Sequence, residues 1–128
     1  MYDRLDAMDL RTTYLGLELE HPLMPGASPL VDDLGAVRRL EDAGASAIVM
    51  HSLFEEQVGR AGGTDADDFR LGPDSYLEQI RRVRSAVSVP VIGSLNGTTS
   101  EGWLRYAKLI EEAGAHALEL NYYYIATD

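Results

Sequence analysis

Apolar and polar positions change period along this chain, and each change marks an element. Thr12 to Leu19 alternate around Gly16, in TTYLGLEL, which reads as a short hairpin. Pro22 to Ser28 turn from apolar to small, so Leu23–Pro25 is expected as a first core strand with Gly26, Ala27 and Ser28 at its mouth. Leu34, Val37 and Leu40 then recur at helical spacing, with Asp32 or Asp33 available as the cap and Gly44 as the stop. Ala47 to Met50 form a second strand that delivers His51 and Ser52 at its end. From Phe54 to Arg70 the pattern dissolves into glycines and aspartates, the signature of a long functional or disordered loop. Ser75-x-x-Glu78 is a capping box ahead of a helix that buries Leu77, Ile80, Val83 and Val87. Pro90 opens a third strand, PVIGS, and Thr98-x-x-Glu101 caps a helix with Trp103, Ala107 and Ile110 inward. Ala117 to Asn121 form a fourth strand.

One junction occurs twice. LEDAGASAIVMH, from Leu40, and EEAGAHALELN, from Glu111, superpose when Gly114 is set on Gly44, a spacing of 114 − 44 = 70 residues, which places Asn121 on His51. Within the later copy, Ala117, Glu119 and Asn121 share one strand face while Leu118 and Leu120 share the other. If the apolar set faces helices, Glu119 and Asn121 face a lumen, with Asn121 at its carboxyl-end mouth. Strands alternating with amphipathic helices imply a parallel sheet. The expected fold is α/β, the amino-terminal half of a (β/α)8 TIM barrel preceded by a β-hairpin. A full barrel typically needs about 250 residues, so residues 1–128 are read as a partial barrel of four parallel strands and three helices. Its raw edges imply either a longer protein or a pair of copies closing the sheet, and the first is expected. Homo-oligomerisation is left open.

Composition narrows the partners. Net charge is −10, from 21 acidic and 11 basic residues, which argues against nucleic acid and anionic membranes. No 18-residue apolar run and no signal peptide is visible, and there is no cysteine, so a cytoplasmic protein with a small-molecule substrate is the default. His21, His51 and His116 lie too far apart for a local metal site, and none is assigned.

The candidate chemistry sits at the strand ends. Gly26, Ala27 and Ser28 are either a plain turn or room for a flat ligand. His51 is either structural or a proton donor and acceptor near neutral pH. Ser94, Asn96 and Gly97 form a polar turn that touches a ligand or simply approaches the next helix. Asn121 offers an amide donor and acceptor to a heterocycle edge. Tyr122, Tyr123 and Tyr124 either line a site or cover the sheet, and Glu119 is expected to pair with a basic residue of another strand.

These segments resemble the dihydroorotate dehydrogenase family. The hairpin leading to PGAS, the stretch LGPDSYL (residues 71–77) and the strand ALELN occur in that family's order. The resemblance implies an FMN-dependent oxidoreductase moving a hydride from a dihydroorotate-like substrate to flavin, in pyrimidine biosynthesis. By the same resemblance Ala27, Ser28, Ser52 and Asn121 contact the flavin, and His51 and Asn121 the substrate. The chain departs from the family where His51 replaces a lysine, where TDADDFR replaces an Asn- and Gly-rich loop, and where Tyr124 occupies the place of the catalytic cysteine. Tyr124 is therefore the candidate base, and a non-redox binding or assembly module is the alternative function. The flavin phosphate is expected on later loops, so residues 1–128 alone should bind FMN weakly or not at all, and the fragment alone should be inactive.

Overall fold

Two glycines with positive φ set the helix-to-strand junctions. The structure, a computed structural model, describes residues 8–55 and 73–122. Gly44 and Gly114, at φ 95° and 100°, end their helices in the left-handed region that glycine adopts without strain. Around each, the same three bonds close the helix: Ala45 N–H reaches Leu40 O at 3.0 Å as Ala115 N–H reaches Ile110 O at 3.3 Å, and the preceding amides follow suit. This is one Schellman-type stop used twice, as the 70-residue repeat implies.

The elements follow from local chemistry. Strands β1 (Thr12–Tyr14) and β2 (Leu17–Leu19) form the antiparallel hairpin, turned at Leu15 and Gly16. A 3-10 turn, Pro29–Asp32, precedes α1 (Leu34–Asp42), whose cap is Asp33, accepting the amides of Gly35 and Ala36. Strand β3 (Ile48–Phe54), helix α2 (Pro73–Ala86), strand β4 (Val91–Asn96), helix α3 (Ser100–Glu112) and strand β5 (Ala117–Leu120) complete the order. Strands β3, β4 and β5 form one parallel sheet in that order.

Each face of the sheet has its own cluster. Ile48, Met50, Leu53, Val91 and Leu95 pack with Val37 of α1, Ile80 and Val83 of α2 and Ile110 of α3 in the main core. Gly93 permits that approach on β4, because a Cβ there would stand 2.4 Å from Ile110 Cγ2. On the opposite face Ala47, Val49 and Ile92 pack against Leu19, with Leu17, Met24 and Ala117 at the margin. The hairpin thus closes the amino-terminal part of that face. Its carboxyl-terminal part carries polar residues.

Four expectations need correction. Leu23–Pro25 is not a strand; Leu23 O accepts Ser46 N–H at 3.1 Å and the pairing goes no further, since Pro22 and Pro25 lack the N–H a ladder needs. The sheet among the described residues therefore has three strands rather than four. The second strand runs through Phe54 instead of ending at Met50, and the third through Asn96, so His51, Ser52, Ser94 and Asn96 lie inside strands. Helix α2 begins at Pro73, a favoured first-turn position for proline, which leaves Ser75 inside the first turn rather than at a cap. Most of the expected loop 54–70 lies outside the described residues.

Candidate functional site

The site begins at an irregularity in β3. Between the pairs Val49↔Ile92 and Ser52↔Ser94, β3 has two residues, Met50 and His51, where β4 has only Gly93. The extra residue is a β-bulge, which re-aims the side chains that follow it. An unbroken ladder would put His51 opposite Ser94; the bulge puts Ser52 there instead.

Asn121 Nδ2 donates to Ser52 Oγ at 2.9 Å and to Ser94 Oγ at 3.0 Å. Ser94 Oγ donates to Glu119 Oε1 at 2.8 Å and lies 2.8 Å from Ser52 Oγ. With its single proton directed at Glu119, Ser94 can only accept from Ser52. Hydroxyl protons thus run Ser52 to Ser94 to Glu119, with both amide protons of Asn121 locking the two oxygens. Ser94 is fully buried, and its hydroxyl has one donation and two acceptances, the full capacity of that group. Glu119 was expected to pair with a basic residue; its observed partner is the Ser94 hydroxyl.

Behind the bulge, α2 supplies the support. Tyr76 Oη donates to Ser94 O at 3.0 Å and accepts Ser94 N–H at 3.1 Å, serving backbone groups where the ladder is interrupted. Burial pushes the Tyr76 phenol well above its ordinary range, against the Ser94 hydrogen bond and with the carboxylates of Glu119 and Asp32, so it stays neutral. The His51 ring meets the Tyr76 ring edge-on, with centroids 4.9 Å apart and planes at 72°. One turn further along α2, buried Gln79 donates to Val31 O at 2.8 Å and Asp32 O at 3.1 Å, fixing the 3-10 turn. Asp32, freed because Asp33 caps α1, places Oδ1 2.6 Å from His51 Nδ1. That nitrogen is buried and makes no aligned hydrogen bond among the described residues, so the contact is a close approach of carboxylate and ring rather than an in-line bond.

A concavity of about 750 Å³ opens in front of these groups, lined by Ala27, Ser28, Pro29, Asp32, Asp33, His51, Ser52 and Phe54. It brings together Ala27, Ser28, His51 and Ser52, and joins Asn121 to them through Ser52. Ser28 also caps the 3-10 turn, its Oγ accepting Leu30 N–H at 3.4 Å. The first of the three tyrosines, Tyr122, is exposed and stacks on Trp103 with centroids 5.0 Å apart. Tyr123 and Tyr124, the candidate base, lie outside the described residues. Concavities elsewhere, such as the one of about 380 Å³ between α3 and β5, lack this convergence of strand-end side chains.

The pocket suits the ring of a flat heterocycle better than a phosphate. Small residues and Pro29 and Phe54 form walls, and the volume is ordinary for a small-molecule site. No lysine or arginine lines it among the described residues, and two aspartates do. Helix N-termini often hold phosphate, but here both capped ones are taken by the chain's own carboxylates. Asp33 occupies α1. Glu55, just past β3, accepts the amides of Thr98 and Thr99 and both threonine hydroxyls at α3. For Glu55, desolvation acts upward, but the hydrogen bonds from Thr99 and Thr98 together outweigh it and lower its pKa to about 2. The cap of α3 is Thr99 rather than Thr98, and Glu55 does the work expected of Glu101.

Asp32, Tyr76, Gln79 and Glu55 were not singled out from the sequence as parts of the site. The usable signal was the doubled aspartate, where one residue suffices as a cap and the second is left for another partner.

No family model matches the chain. Over 125 residues the chain is 32% identical to the catalytic subunit of dihydroorotate dehydrogenase B (NAD(+)) from Thermoplasma acidophilum. It is 30% identical over 125 residues to the subunit of the same name from Thermoplasma volcanium. Each match takes in 88% of this chain and 41% of the relative, so the chain spans less than half the length of these curated relatives.

Proposed function

The chain is a relative of the dihydroorotate dehydrogenase family, and from that premise we propose that it forms the amino-terminal half of a flavin-dependent barrel oxidoreductase acting on a dihydroorotate-like substrate. The observation that carries this reading is the pocket in which Ala27 and Ser28 face His51 and Ser52, with Asn121 tied to its edge. In this reading the protein is cytoplasmic, in keeping with the absence of cysteine, and works in pyrimidine biosynthesis. The described residues have no helix long and apolar enough to cross a membrane.

FMN would lie with its ring against Ala27, Ser28 and Ser52, and when bound it supplies the hydride acceptor. The chain's own residues do the rest. The Ser52–Ser94–Glu119 relay fixes the direction of the Ser52 hydroxyl, so a ligand meets a defined acceptor rather than a rotor. Asn121 spends both amide protons on that relay, leaving its carbonyl oxygen as the group to offer a ligand N–H. Pro29 and Phe54 add apolar wall to the pocket beside these polar groups.

The test is anaerobic addition of dihydroorotate to the full-length protein purified with its flavin. Bleaching of the flavin absorbance is the expected result. A flavin that stays oxidised would assign the protein to another substrate, and a colourless protein that takes up no flavin would overturn the reading in favour of a binding or assembly role.

A further inference from the structure

The family resemblance makes Tyr124 the candidate base, but the structure builds another candidate in the pocket. We propose that Asp32 and His51 form a proton-accepting dyad, with His51 Nε2 as the base toward a ligand in the pocket and Asp32 as its positioning residue. The substrate class rests on the function proposed above; the dyad does not.

Asp32 Oδ1 stands 2.6 Å from His51 Nδ1, off the line of a hydrogen bond, and a carboxylate this close favours the tautomer that carries its proton on that nitrogen. With the proton drawn to Nδ1 by the carboxylate, Nε2 is left bare. Nδ1 is buried, while His51 and Asp32 both line the pocket, so a ligand there meets the ring through its other nitrogen. Three groups hold the arrangement. Gln79 clamps the turn that carries Asp32, Tyr76 packs edge-on against the imidazole, and the bulge in β3 turns His51 out of the strand's regular alternation. The groups facing the ring are Asp32 from the 3-10 turn and the neutral Tyr76 phenol from α2, with Ser52 adjacent in the pocket wall.

Such a dyad suits a substrate that loses a weakly acidic proton. In the oxidation proposed above, a C–H proton passes to Nε2 and its bonding pair becomes the new C=C bond. With a flavin bound as the oxidant, the hydride of the neighbouring carbon would leave to it with its own bonding pair. The imidazolium formed is matched by the Asp32 carboxylate until the proton is returned to water.

The other two histidines provide a contrast. His21 Nδ1 accepts Leu23 N–H at 3.2 Å and His116 Nδ1 accepts Val91 N–H at 3.0 Å, so both carry their neutral-form proton on Nε2. His51 should be the odd one of the three histidines, protonated on Nδ1. Long-range proton–nitrogen correlation spectra of the labelled protein, with His51→Gln for assignment, read this directly. The expected result is an Nδ1–H signature for His51 that shifts toward Nε2–H in Asp32→Asn, while His21 and His116 do not change. An Nε2–H signature for wild-type His51 would overturn the dyad. Diethyl pyrocarbonate, which acylates a bare ring nitrogen, gives the second readout. Acylation of His51 should be largely lost in Asp32→Asn, where Nε2 carries the proton and only the buried Nδ1 is bare, and an unchanged rate would also overturn the dyad. Orotate should protect His51 from the reagent. If the tautomer and the Asp32 dependence hold but orotate gives no protection, the dyad stands and the dihydroorotate reading fails.

Discussion

At the scale of single residues, the site depends on Ser94 having no freedom. Its hydroxyl is bonded to Ser52, Glu119 and Asn121, and its backbone is held by Tyr76 Oη. Removing that phenolic oxygen while keeping the ring should therefore be costly for its size. Tyr76→Phe is expected to lower stability by about 1–3 kcal/mol, the penalty for leaving buried polar groups unsatisfied. Urea unfolding measures it, and a loss within about 0.5 kcal/mol of zero, as for an ordinary surface change, would mean that Ser94 finds other partners. The sequence made Asn121 legible, because alternation within ALELN puts it on the polar face. It could not show which residue of the earlier repeat Asn121 meets. A spacing argument assumes an unbroken ladder, and the extra residue at Met50–His51 breaks it.

At the scale of elements, helix positions were readable and strand lengths were not. Helices announce themselves by periodicity and by caps such as Asp33 and Gly44, all of which are local signals. Strands β3 and β4 continue through polar letters, HS and SLN, because those side chains bond to one another across the sheet, which no single segment reveals. The same holds for the start of α3, where the carboxylate comes from Glu55, 43 residues before Thr98. Glu55 is lowered from 4.5 to about 2, so its contribution is fully present above about pH 4.5 and is lost as the pH falls toward 2. Glu55→Gln should cost about 1 kcal/mol near neutral pH, the usual value of a helix cap. The gap between wild type and variant should narrow at about pH 3. Unfolding curves at the two pH values check this, and a gap that does not change with pH would mean the threonines do not need the charge.

At the scale of the whole molecule, the free face of the sheet is divided along its length. Leu19 and its hairpin cover the apolar amino-terminal part, and the carboxyl ends of β3, β4 and β5 present the serines, Glu119 and Asn121 beside the pocket. The sequence placed polar residues at the strand ends but did not show that the hairpin covers the rest of the face, and the resemblance to the dihydroorotate dehydrogenase family implies a flavin site at those ends. The segment Leu23–Pro25 does not pair as a strand, yet it still leads Ala27 and Ser28 to the pocket. In the proposed reading the pocket takes a ring rather than a phosphate, since among the described residues Asp33 and Glu55 occupy the amino-terminal ends of α1 and α3. The central claim, that this pocket takes a flavin ring, is tested most directly by titrating the chain with riboflavin and with FMN and following flavin fluorescence. The account predicts weak, saturable quenching by both, with dissociation constants equal within about twofold, a difference of roughly 0.4 kcal/mol. An FMN affinity more than about tenfold above that of riboflavin would contradict it, because the chain would then hold the phosphate as well as the ring.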